Sequence, residues 1–326
     1  MKDVAKDANV SVATVSNYIN GKKVRPEVEE QVRQSIEKLH YVRNAAARAL
    51  KTSESKYVVF VLPTVWSPFF SELTFWVQQY LNDMGYKLIL SVSENNYSKE
   101  KSYVKMAEEQ RVAGIISISY SDLNSNIPLV SIEKDDTGMF PLVTSNNYDG
   151  GKIAASEFHK RGVTSAIYAG TLHEEFSPMI ARKSGFIDQC NNLGIHYSIL
   201  DVPSSKNTED FHKFLNQLSE SVKDKEADFG KLGIFAYSDE VAIHIKEKLD
   251  EEKIKVPEQV QIIGFDGSKI YPNTKLTVSS IRQDVQQIAN KATEILDKQI
   301  KGNSEREASR IMVPVNFQQG LTTTSI

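Results

Sequence analysis

Apolar residues recur at two different periods along this chain, and the change from one to the other divides it near residue 56. At the start the period is helical. Val4, Ala5 and Ala8 share one side of a short helix over 2–8. Asn9 ends it, because Asn tolerates the left-handed backbone that a tight turn between helices needs. Ser11 is a good N-cap for a second helix, Val12 to Ile19, whose Val15 and Ile19 face Val4 and Ala8. Its other face carries Val12, Ala13, Ser16 and Asn17. Asn20-Gly21 then breaks the chain, and a third helix begins near Pro26. Val28, Val32, Ile36 and Leu39 recur at helical spacing and are expected to close a three-helix core. Two short helices, a three-residue turn and a small polar exposed face describe a helix-turn-helix.

From residue 57 onward short β-rich runs alternate with amphipathic helical patterns. The first half predicts strands at Val58–Leu62, Leu88–Val92, Gly114–Ser119 and Leu129–Ile132, with helices at Phe69–Met84 and Glu100–Arg111. The second half repeats the scheme with strands Ala166–Ala169, Leu232–Ala236 and Gln261–Gly264. Its helices fall near Tyr148–Arg161, Arg182–Leu193, Phe211–Val222 and Asp239–Glu252. A long helix, Val285–Ile300, and a late strand near Ile311–Val313 follow. Strand-helix alternation implies parallel sheets covered on both faces, and two such series imply two lobes with a cleft between them. The expected fold is an all-α helix-turn-helix module followed by an α/β body of two doubly wound parallel-sheet lobes. Ligands in such folds sit at the carboxyl ends of the strands.

Charge sharpens this division. The chain has a net charge of −3. Residues 1–56 hold eleven Lys and Arg against seven Asp and Glu, whereas the rest holds 28 against 35. A basic end on an acidic body implies that the first segment alone meets a polyanion. The single cysteine, Cys190, fits a reducing cytosol. Residues 1–20 lack the apolar stretch of a signal peptide, and no apolar run approaches ~20 residues, so a cytoplasmic location without membrane contact is expected. Enzyme classes find no support. GxGxxG, GxxxxGK[ST] and GxSxG do not occur. His173-Glu174-Glu175 lacks the second histidine of a zinc-helix motif, and six scattered histidines leave no metal spacing. No cofactor is expected. A secreted sugar-binding protein would share the body, but it would need a signal peptide and no helix-turn-helix.

The run Asp3-Val-Ala-Lys, Val10-Ser-Val-Ala-Thr-Val-Ser16 and Ile19-Asn-Gly21 resembles the N-terminal signature of the lactose-repressor (LacI) family of bacterial regulators. So does Tyr41 with Asn44-Ala-Ala-Ala-Arg-Ala-Leu50. The resemblance implies that the second helix enters the major groove, with Val12, Ala13 and Asn17 at base edges. Thr14 and Ser16 are short hydroxyl residues suited to phosphate contacts. Asn17 stands where many relatives carry Arg, which implies a departure from the family's common half-site, since Asn prefers adenine. The resemblance further implies a hinge over about 44–51 that opens at Asn44 and folds on specific DNA. Leu50 falls on the position that wedges between base pairs in the minor groove, and Ala47 on the position of hinge-to-hinge contact. The alternative for Leu50 is an ordinary linker residue. Arg43 replaces the proline common before that Asn.

Family landmarks continue through the body: Pro63, Ser67-Pro-Phe-Phe70, Val112-Ala-Gly-Ile-Ile116, Asn147-Tyr-Asp-Gly-Gly151, Arg182-Lys-Ser-Gly-Phe186, Ser238-Asp-Glu, Val256-Pro, Ile263-Gly-Phe-Asp266 and Ile281-Arg-Gln283. They imply lobes like those of periplasmic binding proteins, joined by crossovers near 145–148, 282–286 and 313–317. The domains are then 1–56 and 57–326, with lobe 1 at about 57–146 and 286–313 and lobe 2 at about 147–283 and 316–326. The landmarks also imply an effector pocket. Arg182 would hold ligand oxygens with its planar fork of donors, and Asp266 would accept from hydroxyls. Phe69, Phe70 and Trp66 are candidates to stack on the apolar face of a sugar ring, and Glu133, Asn146 and Ser238 are candidates for the rim. Plainer readings stand beside these: Phe69 and Phe70 as plugs at a helix start, Arg182 in an ion pair, Asp266 capping a turn with Gly267, Trp66 as packing. Glu133 stands where Asp is frequent in the family, and its longer side chain implies less pocket space.

The resulting expectation is a repressor of carbohydrate-utilisation genes, acting as a homodimer on a palindromic double-stranded operator. Its control is expected from a small effector, a sugar or sugar phosphate. The alternative is control by a protein corepressor or a non-sugar metabolite.

Overall fold

A computed structural model describes residues 1–41, 55–118, 123–133, 139–171, 178–203, 209–225, 231–269, 271, 273–303 and 309–326. The chain divides into two compact units, Met1–Ser55 and Lys56–Ile326. In the first, helices α1 (Lys2–Asp7), α2 (Val12–Ile19) and α3 (Pro26–Lys38) surround a small core of Val4, Ala5, Ala8, Val15 and Val32. Asn9 takes a φ of 51°, so it makes the left-handed turn between α1 and α2. Ser11 caps α2 by accepting from the Thr14 N–H at 3.0 Å. Leu39 departs from expectation. It is the residue at which α3 ends, and its side chain is 41% exposed. Tyr41 packs on the core instead. The helical spacing runs one residue past Lys38, the last residue of α3. The hinge residues Asn44, Ala47 and Leu50 lie outside the described residues.

The second unit holds two sheets. The first contains β1 (Tyr57–Leu62), β2 (Lys87–Val92), β3 (Gly114–Ser117), β4 (Leu129–Ile132), β5 (Leu142–Ser145) and β11 (Arg310–Val313). Their order is β11-β5-β4-β3-β1-β2, parallel throughout. Helices α4 (Pro68–Asp83), α5 (Tyr97–Glu109) and α10 (Val285–Ile300) cover it. Strand β1 shows why both faces are buried. Val58, Phe60 and Leu62 join the core under α4 and α10, while Val59 and Val61 join the core under α5. Alternate side chains of a strand point to opposite faces, so a continuous apolar run is what a doubly covered strand requires.

The second sheet contains β6 (Ser165–Gly170), β7 (His196–Asp201), β8 (Leu232–Ala236), β9 (Val260–Asp266), β10 (Ser279–Gln283) and β12 (Val315–Gln318). Its order is β12-β10-β9-β8-β6-β7. Helices α6 (Asn147–Lys160), α7 (Pro178–Leu193), α8 (Glu209–Lys223) and α9 (Asp239–Glu251) pack on it. The pairing of β12 with β10 is antiparallel, unlike the other ladders of this sheet. The reason lies in the connection. A parallel return needs a crossover of a dozen or more residues, but Pro314 alone separates β11 from β12. Strand β11 ends where β5 ends, at the crossing between lobes, so β12 begins there and must run away from it.

Four strands were not expected, β12 among them. β5 is only four residues long. β7 is an edge strand with a largely exposed face and no apolar alternation. β10 is polar yet buried. Its Ser279 is satisfied by the C-terminal segment: the Ser279 N–H donates to Thr322 Oγ1 at 2.8 Å, and its hydroxyl meets Thr323 Oγ1 at 2.7 Å.

The chain passes between the lobes three times, from β5 into α6, from β10 into α10, and from β11 into β12. In lobe 2 the helices α6 and α7 cross with unusual closeness. A Cβ added to Gly151 would lie 2.0 Å from the Arg182 carbonyl oxygen, and one added to Gly185 would lie 1.9 Å from that of Tyr148. Both landmark sequences around these glycines therefore mark one helix crossing. Gly185→Ala must push the two backbones apart, and overpacking of this kind costs about 1–3 kcal/mol. A lowered urea midpoint with unchanged m-value is the expected result. A midpoint equal to wild type would mean that the crossing tolerates a methyl group.

Candidate functional site

Two sites emerge, one in each unit. In the first, α2 turns Val12, Ala13 and Asn17 outward, while Thr14 and Ser16 are half-buried beside them. Val12 is 45% exposed, a large fraction for an apolar side chain in so small a module. The Thr14 hydroxyl meets Ser11 Oγ at 2.8 Å, which locks the start of the helix. The hydrophobic pattern did not mark Lys22, Lys23 and Arg25, which follow α2 directly. All three are exposed and have no ion pair among the described residues. Clustered charge of one sign was the available signal.

In the second unit, a cavity of about 440 Å³ lies where strands of both lobes end. Phe69, Phe70, Glu133, Arg182, Ser238 and Asp266 all line it. Phe69 is also buried in the lobe 1 core and meets Phe70 edge to face, so it both plugs the start of α4 and walls the cleft. Ser238 caps α9 by accepting from the Val241 N–H at 3.4 Å. Two expected residues are placed elsewhere. Asn146 does not line the cavity. Its side chain caps α6, accepting from the Asp149 N–H at 3.2 Å and donating to Asp149 Oδ2 at 2.6 Å. Trp66 is 92% exposed, neither packed nor lining. The turn before α4, fixed by Thr64 and Ser71, carries its ring outward.

Asn147, one residue on, does not line the cavity either, but it holds two residues that do, Glu133 and Arg182. It is buried, and its Nδ2 donates to the Ser145 carbonyl at 2.9 Å, Thr144 Oγ1 at 3.2 Å and Glu133 Oε2 at 3.3 Å. Its Oδ1 accepts from Arg182 Nε at 2.7 Å. Arg182 also donates through Nη1 to the Tyr237 carbonyl at 2.6 Å and lies 3.6 Å from the centre of the Phe265 ring. Its Nη2 stands 3.9 Å from Glu133 Oε2. Arg182 is thus both held by an acidic neighbour and placed on the cavity wall. Glu133 accepts from the Ser145 N–H at 3.0 Å, which folds its longer side chain back along the wall. Glu133 and Asp266 both adopt positive φ, 69° and 126°. Such backbone strain costs about 1–3 kcal/mol per residue and collects at binding sites.

Asp266 does not cap Gly267. The Gly267 N–H donates instead to Asp239 Oδ2 at 2.7 Å, while Asp266 Oδ1 accepts from Gln283 Nε2 at 2.7 Å. Gln283 in turn accepts from Ser145 Oγ at 2.5 Å, so the ends of β5, β9 and β10 are tied together across the lobe boundary. Beside them Arg282 grips Glu72 of α4 with both arms, at 2.5 and 3.0 Å, and holds the Gly267 carbonyl at 2.8 Å. Asp239 Oδ1 accepts from Ser280 Oγ at 2.6 Å. Withdrawal from water, and then the charge of Asp266, hold the Asp239 carboxyl well above the ordinary aspartate range. Cys190 is a core residue of lobe 2, and burial pushes its thiol up to about 12. Among the described residues no helix is long and apolar enough to cross a membrane, and no cluster of metal-ligating side chains occurs.

A helix-turn-helix unit and a two-lobed body with a polar cleft define a regulator that carries a small-molecule binding fold. Comparison with known proteins agrees. Residues 1–44 match the bacterial regulatory proteins of the lacI family, and residues 155–323 match a periplasmic binding protein-like domain. A ribose operon repressor of Bacillus subtilis (strain 168) is 30% identical over 334 residues, which cover 99% of this chain and 98% of that protein. A periplasmic binding protein/LacI transcriptional regulator of Alkaliphilus metalliredigens QYMF, complexed with D-xylulofuranose, superposes with a TM-score of 0.72 at 27% identity, covering 83% of this chain and 100% of the other. The lac repressor dimer bound to operator and the anti-inducer ONPF shares the fold, with a TM-score of 0.79 at 18% identity over 99% of this chain and 98% of that one. The chain belongs to the lacI family of bacterial regulatory proteins, DNA-binding transcriptional repressors with a periplasmic-binding-protein-like effector domain rather than enzymes.

The Asp239 carboxyl gives the cleft a pH signature. A group whose folded-state pKa is raised stabilises the fold fully below its ordinary pKa, and that contribution is lost as pH rises through the raised value. Asp239→Asn keeps the shape and never ionises. The Tm difference, variant minus wild type, is expected to grow as pH is raised from about 4 to about 8. A difference that stays flat over that range would show that Asp239 carries no raised pKa.

Proposed function

We propose that this repressor controls carbohydrate-utilisation genes and that a sugar-class effector binds in the cleft between its lobes. The observation that carries this is the composition of the cavity wall. Fixed donors (Arg182) and acceptors (Glu133, Asp266) stand around the same space as the apolar faces of Phe69 and Phe70. Hydroxyl groups need paired donors and acceptors, and the C–H faces of a sugar ring favour aromatic contact.

In this reading Val12, Ala13 and Asn17 meet base edges in the major groove, with Asn17 favouring adenine. Thr14 and Ser16 fix register on phosphates, and Lys22, Lys23 and Arg25 add charge that raises affinity for any duplex. Asn44, Ala47 and Leu50 act in the hinge. Two chains pair so that two heads read a palindromic operator. The effector favours one arrangement of the lobes by its differential affinity and so changes the fraction of protein competent for DNA. Induction is the sign put forward here: sugar weakens operator binding.

The test uses the full-length protein and an operator duplex selected from a random pool. Sugars are titrated into the complex. A sugar that releases wild-type protein is expected to have no effect on Arg182→Lys, which keeps the charge but not the planar fork, while operator affinity without sugar stays unchanged. Release of Arg182→Lys at the wild-type sugar concentration would remove Arg182 from the effector site.

A further inference from the structure

We propose that the cleft selects an uncharged polyol and rejects its phosphorylated form, because its described wall carries carboxylates and its arginine is partly committed within the protein and faced by one of them. This deepens the sugar reading above and rests on it.

Among the described residues that line the cavity, Arg182 is the cation and Glu133, Glu240 and Asp266 are the anions. A phosphate monoester brings about −1.5 to −2 charges at neutral pH and is held in proteins by forks of Arg donors or by Lys. Arg182 offers only part of its fork, since two of its five N–H groups are taken within the protein. Its Nε is bonded to Asn147 Oδ1 at 2.7 Å and its Nη1 to the Tyr237 carbonyl at 2.6 Å. The remaining Nη2 faces the Glu133 carboxylate, 3.9 Å away. A phosphate drawn to Arg182 would therefore meet Glu133 beside it. The side chain is also only 8% exposed, so it has little freedom to turn toward a second anion.

The ends of helices weigh on the other side. Residues at or beside the N-termini of α4, α7 and α9 line the cavity (Ser67, Pro178 and Ser238 respectively), and a helix N-terminus carries about half a positive charge. Among the described residues, three half-charges and one guanidinium do not exceed three carboxylates, so no positive charge is left over for a dianion. For a neutral sugar the same groups act differently: the carboxylates accept from its hydroxyls, and the helix N–H groups and Arg182 donate to its oxygens. The Ser145 N–H and Asn147 Nδ2 hold the Glu133 carboxylate and Gln283 Nε2 holds that of Asp266, so swinging either away to admit a phosphate breaks hydrogen bonds.

The experiment measures thermal unfolding of the full-length protein with matched pairs: ribose and ribose 5-phosphate, fructose and fructose 6-phosphate, glucose and glucose 6-phosphate, sucrose and sucrose 6-phosphate. Inorganic phosphate is the control. The neutral member of one pair is expected to raise Tm. Its phosphorylated partner should need on the order of 100-fold more ligand for the same shift, as like charges brought together in an interface cost several kcal/mol. Asp266→Asn should narrow that gap, because it removes one repelling charge and keeps a hydrogen-bonding oxygen. A phosphorylated sugar that stabilises at equal or lower concentration than its parent would overturn this inference and leave the sugar reading standing. No shift with either member of any pair would overturn the sugar reading, and this inference with it.

Discussion

The close crossing of α6 and α7 is the contact on which the cleft depends. Gly151 and Gly185 let the two backbones meet at distances where a Cβ would overlap a carbonyl oxygen. The crossing sets Arg182, on α7, against Asn147, in the first turn of α6. Burying a guanidinium costs several kcal/mol unless it is well paired. Here Asn147, the Tyr237 carbonyl, the Phe265 ring and Glu133 together supply that pairing. Asn147 then reaches out of lobe 2 to Glu133 and Ser145 of lobe 1. A contact between two helices thereby fixes the polar floor of a site built from both lobes.

The same floor is the place where one lobe can influence the other. Ser145, Gln283 and Asp266 form a hydrogen-bonded chain across neighbouring crossings, and the Glu72–Arg282 pair joins α4 to β10 beside it. Helix α4 begins with Phe69 and Phe70 at the cavity wall, and Arg282 holds the loop that follows Asp266. A ligand that touches both walls therefore acts on groups already linked through the boundary. That is what population control requires: a molecule shifts an equilibrium between lobe arrangements only by binding one of them better.

Sequence pattern reached the elements whose burial follows from their own residues. The head was legible because its core repeats at 3.6 residues, and it failed only at Leu39, where the helix had ended and Tyr41 took the core position. β1 was legible because a strand covered on both faces is apolar throughout. β10 was not, since a strand reading Ser-Ser-Ile-Arg-Gln is buried only because Thr322 and Thr323, some forty residues on, satisfy it. The antiparallel turn of β12 depends on the direction of the crossing, which no local pattern carries. In the cleft, residue type and landmark brought out Phe69, Phe70, Glu133, Arg182, Ser238 and Asp266. They did not separate Asn146 from Asn147. Both are asparagines at a helix start, and only the packing decides that the first caps the helix while the second turns inward. The partners of Arg182 lie 35 and 55 residues away, beyond the reach of any spacing rule.

The central claim is that a small molecule in the cleft and an operator at the head compete for or reinforce one conformational equilibrium. Titration calorimetry of a stabilising sugar, with the protein free and then saturated with operator duplex, tests it most directly. Coupling is reciprocal, so the factor by which sugar changes operator affinity must reappear as a change in sugar affinity. A change of about 5- to 150-fold on adding operator is the range that such coupling commonly spans, and the account predicts weaker sugar binding to the DNA-bound protein. Equal sugar affinity with and without operator would contradict it, and would leave a DNA-binding head and a sugar-binding body that do not communicate.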